Sequence, residues 1–179
     1  HKLVILASIA FGIPLQFASV YTEGITRLTP QDLDYAEELG YRVKHLGIAK
    51  QGPRGVELRV HPTLIPEDRL LANVNGVKNA VLVEGSAVGP TLYYGAGAGG
   101  KPTASAVVAD LVDLARDLSA GQVSRVPSLS FSNEALRDLP IVPMADVETP
   151  WYLRMEAEDR TGVLSRIATI FSDHGISIE

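Results

Sequence analysis

Two features of this sequence carry residue types that could do chemistry: a lysine in an apolar run and a glycine-rich loop. Lys2 begins the run KLVILASIAF and is its one charged residue. A lysine that faces a cleft can act as a general acid or, once deprotonated, as a general base. The plainer alternative is a lysine whose stem lies along apolar surface while its ammonium reaches water. Position alone favours this alternative.

The second feature is the segment GAGAGGKP at residues 95–102, between a predicted strand and a predicted helix. Gly95, Gly97 and Gly100 match the spacing G-x-G-x-x-G by letter. Free backbone N–H groups at such a helix start attract an anion, typically a phosphate. A dinucleotide fingerprint also needs a following strand and an acidic residue about 20 residues later. Residues 121–127 supply no such strand, so spacing alone favours a strand-to-helix turn without a ligand.

Composition excludes several classes of function. The 179 residues include no cysteine, which excludes a disulfide framework, a thiolate nucleophile and cysteine-ligated zinc. The 4 histidines are scattered without metal-ligand spacing, so no metal site is expected. A formal net charge of -5 and the lack of a Lys/Arg cluster argue against nucleic-acid binding. The apolar run at Lys2 falls far short of the roughly 20 residues that span a bilayer, so no membrane span is expected.

Three helices and two hairpins are expected to position these features. The run that begins at Lys2 predicts a helix that is apolar on all sides and therefore buried, ending at Gly12. Thr29 is expected to cap a second helix that has Pro30 in its first turn. A third helix follows the glycine loop, because apolar residues recur there at helical spacing through Leu118.

Alternating apolar and polar residues predict the strands. Residues 41–50 and 56–65 form one antiparallel hairpin, and residues 79–85 and 91–94 form another. A short helix is expected at residues 65–72. The expected fold class is α+β, an antiparallel-rich mixed sheet with helices on one face. One face of the strand at residues 56–61 is then wet or covered by a partner.

The C-terminal part, residues 121–179, differs from the rest of the chain in its predicted organisation. Residues 121–150 contain four prolines and weak periodicity, which predicts a linker with one helical turn near residues 134–137. Residues 151–157 predict a strand, residues 163–171 an amphipathic helix, and residues 176–178 the start of a second strand. The chain begins with His1 and ends within this predicted strand, so we expect it to be a fragment of a longer protein.

Five ordered segments together resemble homoserine dehydrogenase. They are residues 1–12 (HKLVILASIAFG), 20–25 (VYTEGI), 58–65 (LRVHPTLI), 71–76 (LANVNG), and the loop GAGAG at 95–99 with PTASAVVAD at 102–110. The resemblance covers residues 1–120, which it identifies as a catalytic and dimerisation domain. Residues 159–168 (DRTGVLSRIA), after WYLR at 151–154, resemble the start of an ACT regulatory domain.

The resemblance implies a reaction and a role for Lys2. The reaction is the reversible, NADP- or NAD-dependent interconversion of L-homoserine and L-aspartate 4-semialdehyde, in the biosynthesis of threonine, methionine and isoleucine. Lys2 falls on the helix that carries a catalytic lysine in the family, and its implied role is proton transfer to and from the substrate oxygen. Gly99, and more weakly Gly97, correspond to glycines that contact the cofactor. The expected location is the cytoplasm.

The resemblance also implies partners. It places the main nucleotide-binding domain, a second catalytic lysine and the acidic residues that hold the substrate amine before His1. It implies a homodimer formed through the central sheet. It divides the chain into the catalytic domain (1–120), a linker (121–150) and a partial, truncated ferredoxin-like ACT unit (151–179).

A regulatory module is the alternative reading. In that reading the chain serves oligomerisation and amino-acid sensing, and the loop with Asp159, Thr161 and Gly162 faces an effector such as threonine at the start of a helix. The plain alternative for this loop is a β–α turn without a ligand.

Overall fold

The structure, a computed structural model, describes residues 1–97, 99–121, 126–127 and 129–178. These residues form two compact units, residues 1–149 and residues 150–179. Each unit is considered by itself below.

The first unit contains the three predicted helices. They are α1 (Lys2–Phe11), α2 (Pro30–Glu38) and α3 (Gly100–Ser119). Helix α1 ends where the sequence indicates, because Gly12 adopts a left-handed conformation with φ 61°. Helix α2 begins with a capping box, in which the Asp32 N–H donates to Thr29 Oγ1 at 3.3 Å and the Thr29 N–H donates to the Asp32 carboxylate at 2.8 Å.

Five strands form two separate sheets in this unit. They are β1 (Tyr21–Thr22), β2 (Tyr41–Gly52), β3 (Gly55–Pro66), β4 (Lys78–Gly85) and β5 (Gly89–Ala96). The larger sheet has the order β1-β3-β2, with β1 parallel to β3 and β2 antiparallel to it. Strands β4 and β5 form an antiparallel pair of their own. Both predicted hairpins and the α+β class are therefore confirmed.

The core lies between α1 and the larger sheet. Ala7 and Ile13 pack with Val56 and Leu58, and each of these four side chains is at most 2% exposed. Leu3 fits against the sheet because Gly47 has no side chain: a Cβ there would lie 3.3 Å from the Leu3 Cδ1 atom.

Helix α1 is buried on one side only. Val4, Ala7 and Ser8 are buried, whereas Ile5 and Leu6 are 42% and 45% exposed. The prediction of a helix buried on all sides is thus wrong for the described chain. Only the sheet side is covered there, and the opposite side leaves an apolar surface open to solvent.

Residues 129–149 pack on the rest of the first unit. We call them the return segment. Leu139 and Ile141 lie against the core, and Ile141 pairs with Val56 in an isolated parallel bridge. Arg54 donates to the Asp146 carbonyl at 2.7 Å. This part of the sequence, predicted as a linker, therefore also completes the core. The helical turn expected near residues 134–137 is present as a 3₁₀ turn at Asn133–Ala135.

Residues 65–72 do not form the predicted helix. Strand β3 continues to Pro66, which pairs with Tyr41, and a 3₁₀ turn follows only at Leu70–Asn73. Pairing with β2 outweighs the helix-start signal of Pro66 and the acidic residues after it, since each added ladder residue satisfies backbone groups.

The second unit consists of helix α4 (Val163–Asp173) and its flanking segments. The predicted helix is confirmed. The structure assigns no strand to residues 151–157 or 176–178, so the strand predictions there are wrong for the described chain. A strand exists only when a neighbouring strand satisfies its backbone groups, and the described part of this unit provides no such neighbour.

Candidate functional site

Lys2 is the first residue of α1 and is exposed. The helix behind it packs on β2 and β3, so its backbone is anchored although its side chain is free. Among the described residues, none forms a hydrogen bond or ion pair with its ammonium group. The adjacent His1 ring packs edge-on against Phe17, with ring centroids 5.0 Å apart. Within the described residues, the Lys2 side chain is therefore exposed without a polar partner, on a helix that packs against the sheet.

The glycine loop joins β5 to α3. Gly97 follows β5 closely, and a Cβ at this position would overlap the side-chain amide of Asn79. Gly99 has φ 140°, a conformation nearly restricted to glycine, and it directly precedes α3. No described side chain caps this end of α3, so the N–H groups of Gly100 and Lys101 have no side-chain acceptor there, as an anion site would require. Ala98, between the two glycines, lies outside the described residues.

Lys2 and the glycine loop lie on different elements. Helix α1 packs on β2 and β3, whereas Gly97 and Gly99 lie beyond β5, whose partner is β4. The two candidate features are therefore positioned by different elements of the described chain.

A group of polar side chains surrounds strand β1. The Tyr21 hydroxyl donates to the Glu23 carboxylate at 3.1 Å, and this hydrogen bond, with Glu23's charge, raises the pKa of Tyr21. The His45 Nε2 atom lies 2.9 Å from the Glu23 carbonyl oxygen. A shallow depression is lined by residues 21–24, 26 and 27. We assign this group to holding β1 on the sheet.

Strand β3 carries a row of charged side chains that is largely buried. Arg59 lies 3.4 Å from the Glu57 carboxylate and 3.3 Å from the His61 Nε2 atom, and its side chain is 11% exposed. The other His61 ring nitrogen lies 2.8 Å from the Pro62 carbonyl oxygen. The expectation that a partner covers one face of this strand stays a prediction, although Glu57 and Arg59 are already largely buried within the described residues.

The loop before α4 contains the candidate effector residues. Asp159, Thr161 and Gly162 are all exposed. Gly162 has φ 87°, and its carbonyl accepts the Arg166 N–H at 3.0 Å. Arg160 pairs instead with Glu158 at 2.9 Å. The structure thus brings the three residues into one turn at the start of a helix.

In the described ranges, His, Asp and Glu side chains form no group of three or more that could hold a metal ion. No helix in the described part of the chain is long and apolar enough to cross a membrane.

Comparisons with known proteins identify the family. The family model for homoserine dehydrogenase matches residues 1–112, and the model for the ACT domain matches residues 151–179. Homoserine dehydrogenases from Pseudomonas aeruginosa and Neisseria gonorrhoeae are 63% and 52% identical to the chain over 179 residues. The crystal structure of a homoserine dehydrogenase from Thiobacillus denitrificans matches all of this chain with 62% identity and a TM-score of 0.94.

The chain spans 41% of the length of each of these three relatives. All three matches include Lys2, the glycine loop and the loop before α4, because each covers the whole of this chain. The chain therefore belongs to the homoserine dehydrogenase family.

Proposed function

We propose that the full-length protein containing this chain is an NAD(P)-dependent oxidoreductase that interconverts L-homoserine and L-aspartate 4-semialdehyde. The observation that carries this proposal is the 63% identity to a homoserine dehydrogenase over all 179 residues. The role of Lys2 is supported by the resemblance of residues 1–12 to the helix that carries a catalytic lysine in the family, which the family match over residues 1–112 includes. The regulatory reading is retained only for the second unit.

Lys2 acts as the proton donor and acceptor in this proposal. When bound, the nicotinamide cofactor supplies or accepts the hydride. In the direction of reduction, Lys2 Nζ donates a proton to the oxygen that gains negative charge as the aldehyde carbon gains hydride. In the direction of oxidation, the neutral amine removes the hydroxyl proton of homoserine.

The glycine loop contributes to cofactor binding. Gly97 and Gly99 lack side chains where backbone must approach a ligand closely, and the uncapped start of α3 offers N–H groups to a phosphate. We propose that Gly99, with Gly97 beside it, contacts NADP or NAD. The choice between these two cofactors depends on residues that read the ribose, and we assign none of them to this chain.

The purified full-length protein should oxidise L-homoserine with reduction of NAD⁺ or NADP⁺, followed by the absorbance of the reduced nicotinamide. The 179-residue chain by itself should show no turnover, because it offers only the two parts of the site described above. Steady turnover by the isolated chain would contradict this division of the site. An inactive full-length protein would contradict the proposed reaction.

We propose a homodimer formed through the β4–β5 hairpin. An isolated two-stranded hairpin is marginally stable in water, so this hairpin needs another element or chain to pack against it. Its apolar side chains are open on both faces: Val81 and Leu82 are 41% and 47% exposed, and Tyr93, opposite Val81, is 67% exposed. A second copy of the chain would present the same apolar surface, which allows a symmetric contact.

The dimer is tested by the mass of the full-length protein in sedimentation equilibrium. A Val81→Glu variant should shift the mass toward the monomer, because it places charge within the apolar contact. Leu39→Glu is the matched control, since Leu39 is 62% exposed at the end of α2, away from the hairpin. A wild-type monomer, or an unchanged dimer with Val81→Glu, would rule out this surface.

We further propose that the second unit binds an amino-acid effector, with threonine as the first candidate. The match to the ACT domain model supports this, and Asp159, Thr161 and Gly162 form the turn that would face the ligand. A ligand that binds only the folded state raises the melting temperature. The full-length protein should therefore melt at a higher temperature with threonine, and Asp159→Ala should reduce the shift. An identical melting curve with and without threonine would exclude it as the effector.

A further inference from the structure

The end of α1 opposite Lys2 is held by one residue of the return segment. The Arg137 guanidinium donates to the Phe11 carbonyl oxygen at 2.8 Å, and the Arg137 backbone N–H donates to the Gly12 carbonyl oxygen at 2.7 Å. Arg137 is 126 residues away from Phe11 in the sequence. We call these two hydrogen bonds the Arg137 clamp.

The Arg137 clamp meets a need that α1 leaves open. The last carbonyls of a helix have no partners within the helix and carry its partial negative charge. Helix α1 has no basic residue in its last turn, and its own C-terminal closure uses the Gly12 N–H on the Ser8 carbonyl at 2.9 Å. Arg137 therefore provides a donor to the last carbonyl of α1, a second donor to Gly12 and a positive charge at this helix end.

The neighbours of Arg137 also restrict lateral movement of the C-terminal end of α1. The Phe131 ring covers Gly12 so closely that a Cβ on Gly12 would lie 3.1 Å from two of its atoms. Leu139 packs against the core that contains Ala7 and Ile13. The return segment thus encloses the C-terminal end of α1 from several sides.

Lys2 lies at the other end of the same helix. Ten residues make α1 about 15 Å long, and its interior contains neither proline nor glycine. A shift or rotation of the C-terminal end is therefore transmitted to the Lys2 backbone with little bending.

We propose that Arg137 is a positioning residue for Lys2: the Arg137 clamp holds α1 at the depth and rotation that place the Lys2 ammonium at the reacting oxygen. This inference rests on the proposed function of Lys2. Arg137 acts through α1 and does not itself touch the substrate. Its guanidinium lies at the surface, so replacing Arg137 by alanine removes the hydrogen bond to Phe11 without opening a cavity in the core.

The first test uses kinetics of the full-length protein. Arg137→Ala should lower kcat about 10–100-fold, since displacement of a catalytic group by about 1 Å can have effects of that order. The KM for the cofactor should stay within about 2-fold, because the glycine loop is on another element. Arg137→Lys should recover part of kcat, since an ammonium can still donate to the Phe11 carbonyl.

Arg54→Ala is the matched control. Arg54 also attaches the return segment to the first unit, through the Asp146 carbonyl at 2.7 Å and Glu148 at 3.5 Å, but it does not touch α1. Its removal should leave kcat unchanged. An equal fall in kcat for both variants would overturn the proposal, because it would indicate a general loosening of the segment. An unchanged kcat in Arg137→Ala would overturn it as well.

A second measurement separates the Arg137 clamp from the proposed reaction. Amide hydrogen exchange over residues 2–12 should be faster in Arg137→Ala than in Arg54→Ala or the unmodified protein, with residues 41–66 unaffected. If the full-length protein does not oxidise homoserine, the proposed function fails and exchange alone judges the clamp. Arg137→Ala removes the guanidinium bond to Phe11 and keeps the backbone bond to Gly12. Unchanged protection of α1 in this variant would therefore refute the positioning role of the guanidinium whatever the activity.

Discussion

Replacing Lys2 by alanine in the full-length protein should lower kcat for homoserine oxidation by about 10²–10⁴-fold, the usual contribution of a positioned proton-transfer group. The KM for the nicotinamide cofactor should change little, because Lys2 begins α1 whereas Gly97 and Gly99 lie beyond β5. Initial rates at varied cofactor and saturating homoserine measure both quantities. Near-normal turnover would exclude Lys2 as the proton donor.

Two further variants define what Lys2 contributes. Lys2→Arg keeps the positive charge but removes the ability to release a proton near neutral pH, so it should be nearly as inactive as Lys2→Ala. If Lys2→Arg retains most of the activity, the role of the residue is electrostatic and not proton transfer. Lys50→Ala is the control for loss of a lysine, since Lys50 is exposed on β2 and belongs to neither part of the site.

Replacing Gly55 by alanine should produce the largest loss of stability among the glycine substitutions, about 3–5 kcal/mol from backbone strain and displaced core contacts together. Gly55 has φ 129°, and a Cβ there would fall on the backbone carbonyl oxygen of Pro140. That oxygen also accepts the Val56 N–H at 2.9 Å, so it cannot move without loss of the contact between β3 and the return segment.

Gly40→Ala is the matched control for Gly55→Ala. Gly40 also has a positive φ, 78°, but a Cβ there would meet no atom within 4 Å. Its replacement should therefore cost only the conformational term, about 1–2 kcal/mol. The measurement is the urea concentration at which residues 41–66 lose protection from hydrogen exchange. Equal losses of stability in the two variants would show that the close approach of Gly55 to Pro140 does not contribute to the effect.

The local elements were predictable because their causes lie within a few residues. Thr29 and Pro30 specify the start of α2, and Gly12 specifies the end of α1, through backbone preferences that act wherever the chain folds. The hairpins were predictable from alternation, since strands joined by short turns need no information from distant residues. Lys2, Gly97 and Gly99 were identified through resemblance to a family, because spacing alone favoured plainer readings for all of them.

Distant contacts account for what the sequence did not reveal. Pairing with β2 extended β3 through Pro66, where local signals predicted a helix, and residues 151–157 lack the neighbour that a strand requires. Arg137 carried no sequence signal, since its partner at Phe11 is 126 residues away and the segment around it resembles a loop. The burial of Arg59 on a face that alternation predicted to be wet or covered by a partner likewise became visible only in the folded chain.

The sequence by itself determined the helices, the two hairpins, the family and the residue type at each candidate position. Only the tertiary structure decided that α1 keeps one apolar side open, that Arg59 on β3 is largely buried, and that the return segment completes the core. The physical reason is the sequence separation over which each interaction acts. Capping, turn formation and periodicity depend on residues close in the chain, whereas burial and strand pairing depend on which distant segments come into contact.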